Sequence, residues 1–482
     1  MELREIIKDI RILGMTADPG TEIRGISYDS RKTRPGDLFV AIRGLEADGH
    51  RYIPKAVEKG AAVVLCETPP EDGTPYVQTD DCRLGLALAS RAFFGDPASE
   101  MTVIGITGTS GKTTSSYLLK HLLELGLDAK VGLIGTNGNW IGDEFLHTEH
   151  TTPESYELHS LFRQMAEAGC THVVMEVSSH SLTLERVAGI RFDVAMYTNL
   201  SQDHLDFHRD MADYAAAKRK LFSQSEIGLL NADDAWTPFM REGAACPCET
   251  YSARDENADL YAKDIHLSAS GVRFTAVYHG EEAQTRLSIP GEFSVYNALG
   301  VMAIGMALSI PLDVCADAMG SAKGVKGRME IVPCDREHTV VIDYAHKPDA
   351  LEKALKTLRP VTLGRLIVLF GCGGDRDRAK RPIMGRIAGE LADICVVTSD
   401  NPRTEDPQAI IDEILTGMGE SRAEIQVICD REKAIAWAID KAAPGDVILL
   451  AGKGHEDYQV VGKEKRHMDE REIVAAVLAA RR

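Results

Sequence analysis

Short apolar runs alternate with amphipathic stretches along most of the chain. Runs of four to six apolar residues have the length of buried strands, and apolar residues spaced three and four apart indicate helices. From residue 101 this pattern predicts strands at 102–107, 131–135, 172–177, 193–198 and 228–231, and helices at 113–125, 155–168, 211–223 and near 295–308. Strands that alternate with helices are typical of a mostly parallel sheet, so the chain is predicted to be an α/β protein.

The same pattern predicts three domains. The turn-rich segment "FFGDPASE" closes an N-terminal α/β segment, and the alternation of strand and helix restarts near His338. At about 150 residues per domain, a chain of 482 residues also corresponds to three. We expect domains at 1–98, 99–330 and 331–482, the second built on a central parallel sheet and the third on a Rossmann-like α/β arrangement.

Composition narrows the possible partners. The chain has 54 Lys and Arg against 73 Asp and Glu, and its net charge of -19 disfavours binding to nucleic acid or anionic membranes. An anionic substrate therefore requires local basic residues. The first residues lack the apolar core of a signal peptide and no apolar run reaches about 18 residues, so we expect a cytoplasmic protein without membrane insertion. The ten scattered cysteines are expected to be reduced thiols.

The stretch "GITGTSGKTTSSYL" at 105–118 lies between a predicted strand and a predicted helix, which is the context of a phosphate-binding P-loop. Gly108 and Gly111 allow backbone amides to turn towards a triphosphate at the helix N-terminus. Lys112 is placed to neutralise its outer charge, and the Thr113 hydroxyl is placed to reach a magnesium ion. The first glycine of the standard pattern stands one place too early in this sequence.

Two polar clusters follow strands of the same predicted domain. In "VVMEVSSHSL", Glu176 closes an apolar strand, and the segment "NLSQDHLDFH" gathers Asp203, His204, Asp206 and His208. Carboxylates and imidazoles beside a P-loop suit a divalent cation that bridges phosphate oxygens. Two such clusters in one domain make ordinary turn chemistry the weaker interpretation.

Further candidate residues follow these clusters. The stretch "DYAAAKRKLF" puts Lys218 on a predicted helix, and that position by itself favours a solvated lysine. In the C-terminal domain, "DYAH", "GCGGDRD", "DNPR" and "AGKGHE" each end a predicted strand. Any one of them is compatible with an ordinary loop, but four polar tips at one edge of an open α/β sheet predict a ligand site there.

The motifs "GTSGKTT", "MEVSSH", "SQDHLDFH", "YAAAK", "YNAL", "GRME", "DYAH" and "DNPR", in this order, resemble those of the Mur ligases of peptidoglycan synthesis over essentially the whole chain. The P-loop of that family shares the early glycine. The resemblance implies an N-terminal domain for the UDP end of a nucleotide-sugar substrate, a central ATPase domain and a C-terminal amino-acid domain. Within the family, the motifs are most similar to those of the enzymes that add the third amino acid. This implies ATP, UDP-N-acetylmuramoyl-L-alanyl-D-glutamate and meso-2,6-diaminopimelate as substrates, with an acyl phosphate as intermediate.

The resemblance also implies roles for individual residues. Catalysis is expected to depend on Lys112, Glu176, His204 and Lys218. ATP is expected to contact Gly108, Thr109, Ser110, Gly111, Lys112, Thr113, Thr114, Asn297, Arg328, Asp343 and His346. The nucleotide-sugar substrate is expected to contact Ser30, Leu45, Glu46, Ala47, Thr151, Thr152, Ser178 and Arg186. Diaminopimelate is expected to contact Arg376, Asp400, Asn401, Pro402, Arg403, Gly452 and Glu456.

Magnesium is the metal that the resemblance implies, held near Thr113, Glu176, His204 and a carbamylated Lys218. A carbamylated lysine carries the charge of a carboxylate, so the resemblance reverses the interpretation of that residue as a solvated lysine. Small-molecule substrates and a monomeric enzyme are expected. Three positions depart from the family pattern, namely His150, Ser294 and Lys347.

Several alternatives stay open at this stage. Addition of L-lysine instead is disfavoured by "DNPR", and a folylpolyglutamate synthase is disfavoured by the UDP-type N-terminal domain. From other classes, a GTPase switch would carry an Asn-Lys-x-Asp motif and a transport ATPase would carry its signature loop, and the sequence has neither. A catalytically dead homologue is also possible, although the four expected catalytic residues are retained.

Overall fold

The computed structural model describes residues 1–44, 47–148, 150–334 and 336–480. The chain forms two compact units. One comprises residues 1–259 with 300–311, and the other comprises residues 260–299 with 312–482. None of the helices in the described ranges combines the length and the apolar character that a membrane span needs.

A five-stranded sheet forms the N-terminal part of the first unit. Its strands are β1 (Gly14–Met15), β2 (Gly25–Ser27), β3 (Asp37–Val40), β4 (Val63–Cys66) and β5 (Tyr76–Gln78). They lie in the order β1-β5-β4-β3-β2 and are parallel except for β1. The helices are α1 (Leu3–Ile6), α2 (Ile53–Glu58) and α3 (Cys82–Phe93), with 3-10 turns at Gly49–Tyr52 and Pro97–Glu100. Leu86 of α3 shares a buried core with Leu38 and Leu65 of the sheet.

The larger sheet of the first unit carries the phosphate loop. Its strands are β6 (Thr102–Thr107), β7 (Val131–Gly135), β8 (Gly138–Ile141), β9 (Glu144–Leu146), β10 (His172–Glu176), β11 (Phe192–Tyr197), β12 (Ser225–Asn231) and β13 (Cys248–Ser252). Their order is β13-β12-β11-β6-β10-β7-β8-β9, and β8 is antiparallel to both of its neighbours, β7 and β9. The helices are α4 (Lys112–Leu127), α5 (Ser155–Glu167), α6 (Ser179–Thr183), α7 (Met211–Arg219) and α8 (Thr237–Glu242), with a 3-10 turn at Lys220–Ser223. Helix α9 (Phe293–Ala307) belongs to the second unit up to residue 299 and to the first unit from residue 300.

The central strands of this sheet are buried on both faces, which is why they read as continuous apolar runs in the sequence. Parallel pairing aligns Glu176 of β10 with Ile106 of β6, and Tyr197 of β11 with Thr107 of β6. The loops that follow these three strands therefore begin at the same edge of the sheet.

The second unit contains a three-stranded antiparallel meander and a six-stranded sheet. The meander is β14 (Leu260–Ser268), β15 (Gly271–Tyr278) and β16 (Glu281–Leu287), and it is followed along the chain by α9 and then by α10 (Leu312–Ser321). The sheet contains β17 (Glu330–Val332), β18 (Thr339–Asp343), β19 (Leu366–Phe370), β20 (Ile394–Val397), β21 (Glu424–Val427) and β22 (Val447–Ala451). Its order is β17-β18-β22-β19-β20-β21, and only β17 is antiparallel to its neighbour.

Five helices and a hairpin complete the second unit. The helices are α11 (Pro348–Leu358), α12 (Lys380–Leu391), α13 (Pro407–Leu415), α14 (Arg431–Lys441) and α15 (Glu470–Ala479), and a 3-10 turn spans Arg359–Val361. The hairpin consists of β23 (Tyr458–Val461) and β24 (Glu464–His467).

The elements predicted from the sequence are found with small shifts at their ends. Strands 102–107 and 131–135 have the predicted bounds, whereas the strand predicted at 228–231 begins earlier, at Ser225. The predicted helix 211–223 is an α-helix only as far as Arg219 and continues as a 3-10 turn, a tightening that is common at helix C-termini. The three domain bounds stay a prediction.

Candidate active site

The phosphate loop joins β6 to the N-terminus of α4 in a conformation that requires glycine. Gly108 has φ +145°, and a Cβ there would lie 1.8 Å from Thr198 Oγ1. Asn199 holds the loop from the other side, since its Oδ1 accepts from Ser110 N (3.1 Å) and its Nδ2 donates to Ser110 O (3.1 Å). The first amides of a helix have no partners within it, so this loop presents N–H groups as phosphate-binding loops do.

Two lysines donate to the same backbone carbonyl of this loop. Lys112 Nζ donates to Gly108 O (2.8 Å) and Thr109 O (3.0 Å), and Lys218 Nζ donates to Gly108 O (2.8 Å). The expectation of a solvated lysine is wrong, because Lys218 is 1% exposed and lies against the ring of Tyr214. Burial, and after it the charge of Lys112, hold the pKa of Lys218 well below its ordinary range.

Thr113 and Glu176, two of the predicted metal-site residues, lie in contact. Thr113 Oγ1 donates to Glu176 Oε2 (2.9 Å). Thr136 donates to the same buried carboxylate through N to Oε1 (2.9 Å) and through Oγ1 to Oε2 (3.1 Å), and its Oγ1 lies 3.0 Å from Thr151 Oγ1. A hydroxyl and a carboxylate beside a phosphate loop are hard oxygen donors of the kind that magnesium prefers, so these residues fit the implied metal.

His204 makes its contacts elsewhere, at the loop after β11. It has φ +53°, its ring meets that of His180 edge-on at 4.8 Å between centroids, and its Nε2 lies 3.6 Å from Asp203 Oδ2. Burial lowers the pKa of His204, the charge of Asp203 opposes this effect, and the charges of Lys112 and Lys218 lower the pKa further.

His208, at the end of the same segment, is turned into the interior. Its Nε2 lies 2.9 Å from Ser179 Oγ and its Nδ1 lies 3.4 Å from Asp213 Oδ2. Among the residues that the structure describes, no three His, Cys, Asp or Glu side chains are grouped so that they could hold a metal. Both ring nitrogens of His208 thus face protein partners. A cation beside the other residues of this segment, with His204 at the metal, stays a prediction.

A cavity of about 530 Å³ opens beside the N-terminal sheet, and Ser30 and Ala47 are among the residues that line it. Arg31, Lys55 and Arg83 bring cationic groups to the same cavity. Asp29 and Glu154 line it as well, so this concave site offers charges of both signs to a polar nucleotide group. Two further residues predicted for this substrate lie outside the described ranges, namely Leu45 and Glu46.

A chain of contacts leads from this cavity to Glu176. Glu154 lines the cavity and forms an ion pair with Arg186. Arg186 Nη1 donates to Thr152 O (3.1 Å), and Thr152 Oγ1 donates to Glu176 O (2.8 Å). Ser178 N in turn donates to Thr152 Oγ1 (3.2 Å). Three residues predicted for one substrate are thus brought together between the cavity and the buried carboxylate.

The other residues predicted for ATP lie in the second unit. Arg328 and His346 flank Tyr344, with the guanidinium 5.6 Å from the ring centre and His346 Nδ1 2.8 Å from Tyr344 O. Asp343 ends β18 and accepts a hydrogen bond from a backbone amide (2.8 Å), and burial raises the pKa of its carboxyl group. Asn297 is buried on α9.

The "DNPR" loop after β20 meets the turn that follows β22. Asn401 Nδ2 donates to Glu456 Oε2 (3.0 Å), and Lys453 Nζ donates to Asn401 Oδ1 (2.8 Å) and to Glu456 Oε2 (2.9 Å). The buried Oδ2 of Asp400 accepts no hydrogen bond from the described part of the chain. Gly452 has φ +114°, and a Cβ there would lie 2.9 Å from that oxygen. Asp400 and Gly452 therefore face each other.

Arg403 ends the same loop with φ +50°, and its Nη1 donates to Gly374 O (2.8 Å). The β23–β24 hairpin holds its backbone through hydrogen bonds of 3.1 and 2.7 Å. A Cβ at Gly373 would lie 2.9 Å from Arg403 Nη1 and 3.8 Å from Arg376 Cγ, so both arginine side chains lie close to this glycine. The polar loops of this unit thus meet at one edge of its sheet.

Comparison with known proteins decides the family. Three Mur ligase domain profiles match the chain: "Mur ligase family, catalytic domain" at residues 22–95, "Mur ligase middle domain" at 106–305, and "Mur ligase, glutamate ligase domain" at 327–454. The UDP-N-acetylmuramoyl-L-alanyl-D-glutamate–2,6-diaminopimelate ligase of Caldanaerobacter subterraneus subsp. tengcongensis is 44% identical over 482 residues, which cover 99% of each chain. The chain belongs to the Mur ligase family.

Further Mur ligases match it at full length. The ligase of the same name from Clostridium botulinum is 43% identical over 485 residues, or 99% of each chain. A solved structure of a UDP-N-acetylmuramoyl-L-alanyl-D-glutamate–2,6-diaminopimelate ligase has a TM-score of 0.78 and 32% identity, and covers 100% of this chain and 99% of that one. The predicted α/β class and the three-domain Mur ligase architecture are confirmed.

Three residues of this Mur ligase site do not figure among the residues predicted from the sequence: Thr136, Glu154 and Lys453. Thr136 comes directly after β7, just as other predicted polar residues come after their strands. Lys453 is part of the "AGKGHE" motif. The positions of both residues in the sequence therefore indicated a place in the site. Glu154 had none, because its partner Arg186 is distant in the sequence and only folding brings the two charges together.

Proposed function

We propose that this chain catalyses the ATP-dependent addition of meso-2,6-diaminopimelate to UDP-N-acetylmuramoyl-L-alanyl-D-glutamate in peptidoglycan synthesis. The observation that carries this conclusion is the 44% identity, over 99% of both chains, to a ligase named for that reaction. The Mur ligases are ATP-dependent enzymes that form amide bonds. The phosphate loop and the edge of the second unit's sheet supply groups that suit two of the three substrates, ATP and a zwitterionic amino acid.

In the proposed first step, a carboxylate oxygen of the D-glutamyl group attacks the γ-phosphorus of ATP, and ADP leaves with the electrons of the broken bond. Two anions must approach each other, so positioning and charge neutralisation account for most of the catalysis. The amides of the phosphate loop and Lys112 bind the transferred group. Thr113 and Glu176 would hold magnesium, which neutralises phosphate charge when it is bound.

In the proposed second step, the amine of diaminopimelate attacks the acyl carbon. The tetrahedral intermediate collapses, phosphate leaves with the electrons of the carbon–oxygen bond, and the nitrogen loses a proton. We propose that Lys218 is present as its carbamate, which would hold magnesium together with Thr113, Glu176 and His204. The burial of Lys218 supports this, because a buried ammonium next to Lys112 is unfavourable and carbamylation replaces the positive charge with a negative one.

The proposed amino-acid site recognises the far end of diaminopimelate, the end that lysine does not share. That end carries a carboxylate and an ammonium on one carbon. Arg403 offers a planar fork to the carboxylate, which an ammonium side chain could not match. Glu456 accepts the ammonium, with Arg376 and Asn401 beside them. The contacts that group these side chains around Gly373 and the "DNPR" loop support this assignment.

Phosphate release in the presence of ATP, magnesium and UDP-N-acetylmuramoyl-L-alanyl-D-glutamate tests the function directly. Meso-diaminopimelate, L-lysine and no amino acid are compared, and the product is identified by mass spectrometry. We expect release only with diaminopimelate, and a kcat/KM for lysine lower by at least ~100-fold, as when a site built for a polar group meets an analogue without it. Equal use of the two amino acids would overturn the assignment. Release with a folate and glutamate instead would favour a folylpolyglutamate synthase.

We also propose that the enzyme acts as a monomer in the cytoplasm. The reaction consumes ATP and a nucleotide-activated sugar, both of which are cytoplasmic compounds. Candidate groups for all three substrates lie within one chain of 52.6 kDa. Light scattering coupled to gel filtration should therefore give about this mass, with or without substrates, and a stable dimer would contradict the proposed monomer.

A further inference from the structure

Lys453 is fully buried in the turn that follows β22. The glycines on its two sides, Gly452 and Gly454, have φ of +114° and +53°, and this backbone turns the lysine inward. Its ammonium donates to Asn401 Oδ1 (2.8 Å) and Glu456 Oε2 (2.9 Å) and lies 5.4 Å from the centre of the Tyr458 ring. A fully buried cation is rare unless it is paired, so its two acceptors are what hold it in place.

The first consequence concerns the amide of Asn401. Its Oδ1 accepts two hydrogen bonds, one from Lys453 Nζ and one from Val460 N (2.9 Å). With the oxygen fixed by two donors, the NH₂ group must point the other way, and its Nδ2 donates to Glu456 Oε2 (3.0 Å). Lys453 therefore sets the direction in which Asn401 presents its donors.

The second consequence concerns the carboxylate of Glu456. Both of its side-chain hydrogen bonds, from Lys453 and from Asn401, go to Oε2. Oε1 accepts none from the residues that the structure describes, and the side chain is 14% exposed. One oxygen is thus fixed by the protein and the other is left for a ligand, while the charge of Lys453 balances that of Glu456.

We propose that Lys453 is a positioning residue that sets the specificity of the amino-acid site, by directing Glu456 Oε1 and the Asn401 amide towards the distal ammonium and carboxylate of the substrate. This rests on the proposed function. An electrically balanced set of Lys453 and Glu456 suits a zwitterionic head group, which brings no net charge. Without the lysine, Glu456 would be a buried carboxylate free to turn towards Arg403, the cation needed for the substrate's carboxylate.

The test is a double-mutant cycle on kcat/KM for meso-diaminopimelate, with Lys453→Met, Glu456→Gln and the double variant. Met keeps most of the side-chain volume and removes the charge. We expect Lys453→Met to raise the KM for diaminopimelate tenfold to hundredfold, the range for one hydrogen bond to a charged group, and to leave the KM for ATP within about twofold. If Lys453 acts through Glu456, its loss should matter far less in the Glu456→Gln background, so the double variant should resemble the worse single one.

The matched control is Lys433→Met on α14, a lysine that is 79% exposed and lies 3.7 Å from Asp430. It should change neither KM. Should Lys453→Met fail to fold, as judged by circular dichroism and thermal melting, Lys453→Gln takes its place in the cycle with the same expectations. Addition of propylamine to Lys453→Ala should lower the raised KM for diaminopimelate, because the amine can occupy the space of the deleted ammonium.

Three results would overturn the inference: an unchanged KM for diaminopimelate in Lys453→Met, an equal rise in the KM for ATP, or effects that simply multiply in the double variant. The last two describe a lysine that only stabilises the fold. Failure of the proposed function looks different, because then the wild-type enzyme itself would not release phosphate with diaminopimelate. A narrowed preference for diaminopimelate over lysine in Lys453→Met would add support, since lysine lacks the distal carboxylate and has a different distal geometry.

Discussion

A buried lysine lies against the phosphate loop of the first unit and another lies against the "DNPR" loop of the second, and the two lysines have different partners. Lys218 is 1% exposed and donates to a backbone carbonyl, with no carboxylate of the described residues within salt-bridge distance. Lys112 donates to the same carbonyl. Lys453 is 0% exposed and lies 2.9 Å from the carboxylate of Glu456.

This difference matches the charge of the proposed ligands. Two ammonium groups that donate to one carbonyl create a region of positive charge, which becomes more favourable when a polyanion such as ATP binds. The pair of Lys453 and Glu456 carries no net charge, and this suits a zwitterionic ligand, which brings none either. Changes in the phosphate loop should therefore affect turnover, and changes in the "DNPR" loop should affect selectivity.

The largest effect is expected for Lys112→Ala. Removal of the cation that stabilises the transferred phosphoryl group should lower kcat by about a thousandfold or more, the upper range for one preorganised donor. Binding of the nucleotide-sugar substrate, measured by calorimetry, should stay within about threefold, because that substrate is expected at the separate cavity lined by Ser30. Lys130→Ala, an exposed lysine of the same unit, is the control. Near-normal phosphate release by Lys112→Ala would contradict the role of the loop.

Lys218→Ala should be nearly as damaging, with a loss of about a hundredfold or more if the carbamate is required. Acetate at high concentration should partly restore activity, since it can occupy the space of the lost carboxylate-like group. Carbamylation itself can be observed by ¹³C NMR after exchange with ¹³CO₂. Lys220→Ala, an exposed lysine of the following turn that pairs with Glu185, should remain active. A Lys218→Ala enzyme with most of its activity would show that the buried ammonium is only structural.

Arg403→Ala should act on selectivity instead. A bidentate bond to a charged group is worth more than the about 1.5 to 3 kcal/mol of a single one, so the KM for diaminopimelate should rise about a hundredfold or more. The KM for ATP should stay within about threefold, and the preference over lysine should narrow. Comparison of kcat/KM for both amino acids measures this. Arg378→Ala, an exposed arginine that pairs with Glu413, is the control. An equal rise in the KM for ATP and the KM for diaminopimelate would contradict the proposal that the "DNPR" loop determines selectivity and the phosphate loop determines turnover.

Much of the first unit's fold could be predicted from the sequence because its central strands are buried on both faces. Continuous apolar runs of that kind are unambiguous, and the loops that follow parallel strands must begin at one edge of the sheet. The meeting of Thr113 with Glu176 follows from that rule, since β6 and β10 are direct neighbours.

The burial of single polar side chains could not be predicted in the same way. The position of Lys218 on a helix favoured a solvated lysine, since the pattern of a helix does not show what covers it in three dimensions. His208 was grouped with the candidate cation ligands of its segment, yet its ring lies between Ser179 and Asp213. In each case a hydrogen-bond partner of the buried side chain belongs to another helix, strand or loop. The spacing of residues within one element cannot predict such a contact.

The smallest predicted effect concerns the pH dependence of the stability that Glu405, two residues after the "DNPR" loop, contributes. Arg381 is fully buried and donates to Glu405 and Glu413, and Glu405 Oε1 also accepts from Asp375 N (2.6 Å). The hydrogen bond from Arg381, followed by that amide, lowers the pKa of Glu405 to about 2. Because the folded pKa lies below the ordinary value, the stabilisation is present above about pH 4.5 and is lost as the pH falls towards 2.

At pH 6 the Glu405→Gln variant should therefore melt a few degrees below the wild-type enzyme. The difference between the two melting temperatures should shrink as the pH falls towards 2. Calorimetric melting across that range measures it. Glu390→Gln is the control, because Glu390 is 58% exposed in its pair with Arg386 and such pairs contribute little. At neutral pH the KM for diaminopimelate should rise only severalfold, since Glu405 supports the loop around Gly373 and Asp375 without touching the ligand. A melting difference that does not change with pH would show that the carboxylate of Glu405 is not held ionised by Arg381, and that the balance of charge in this region depends on other pairs.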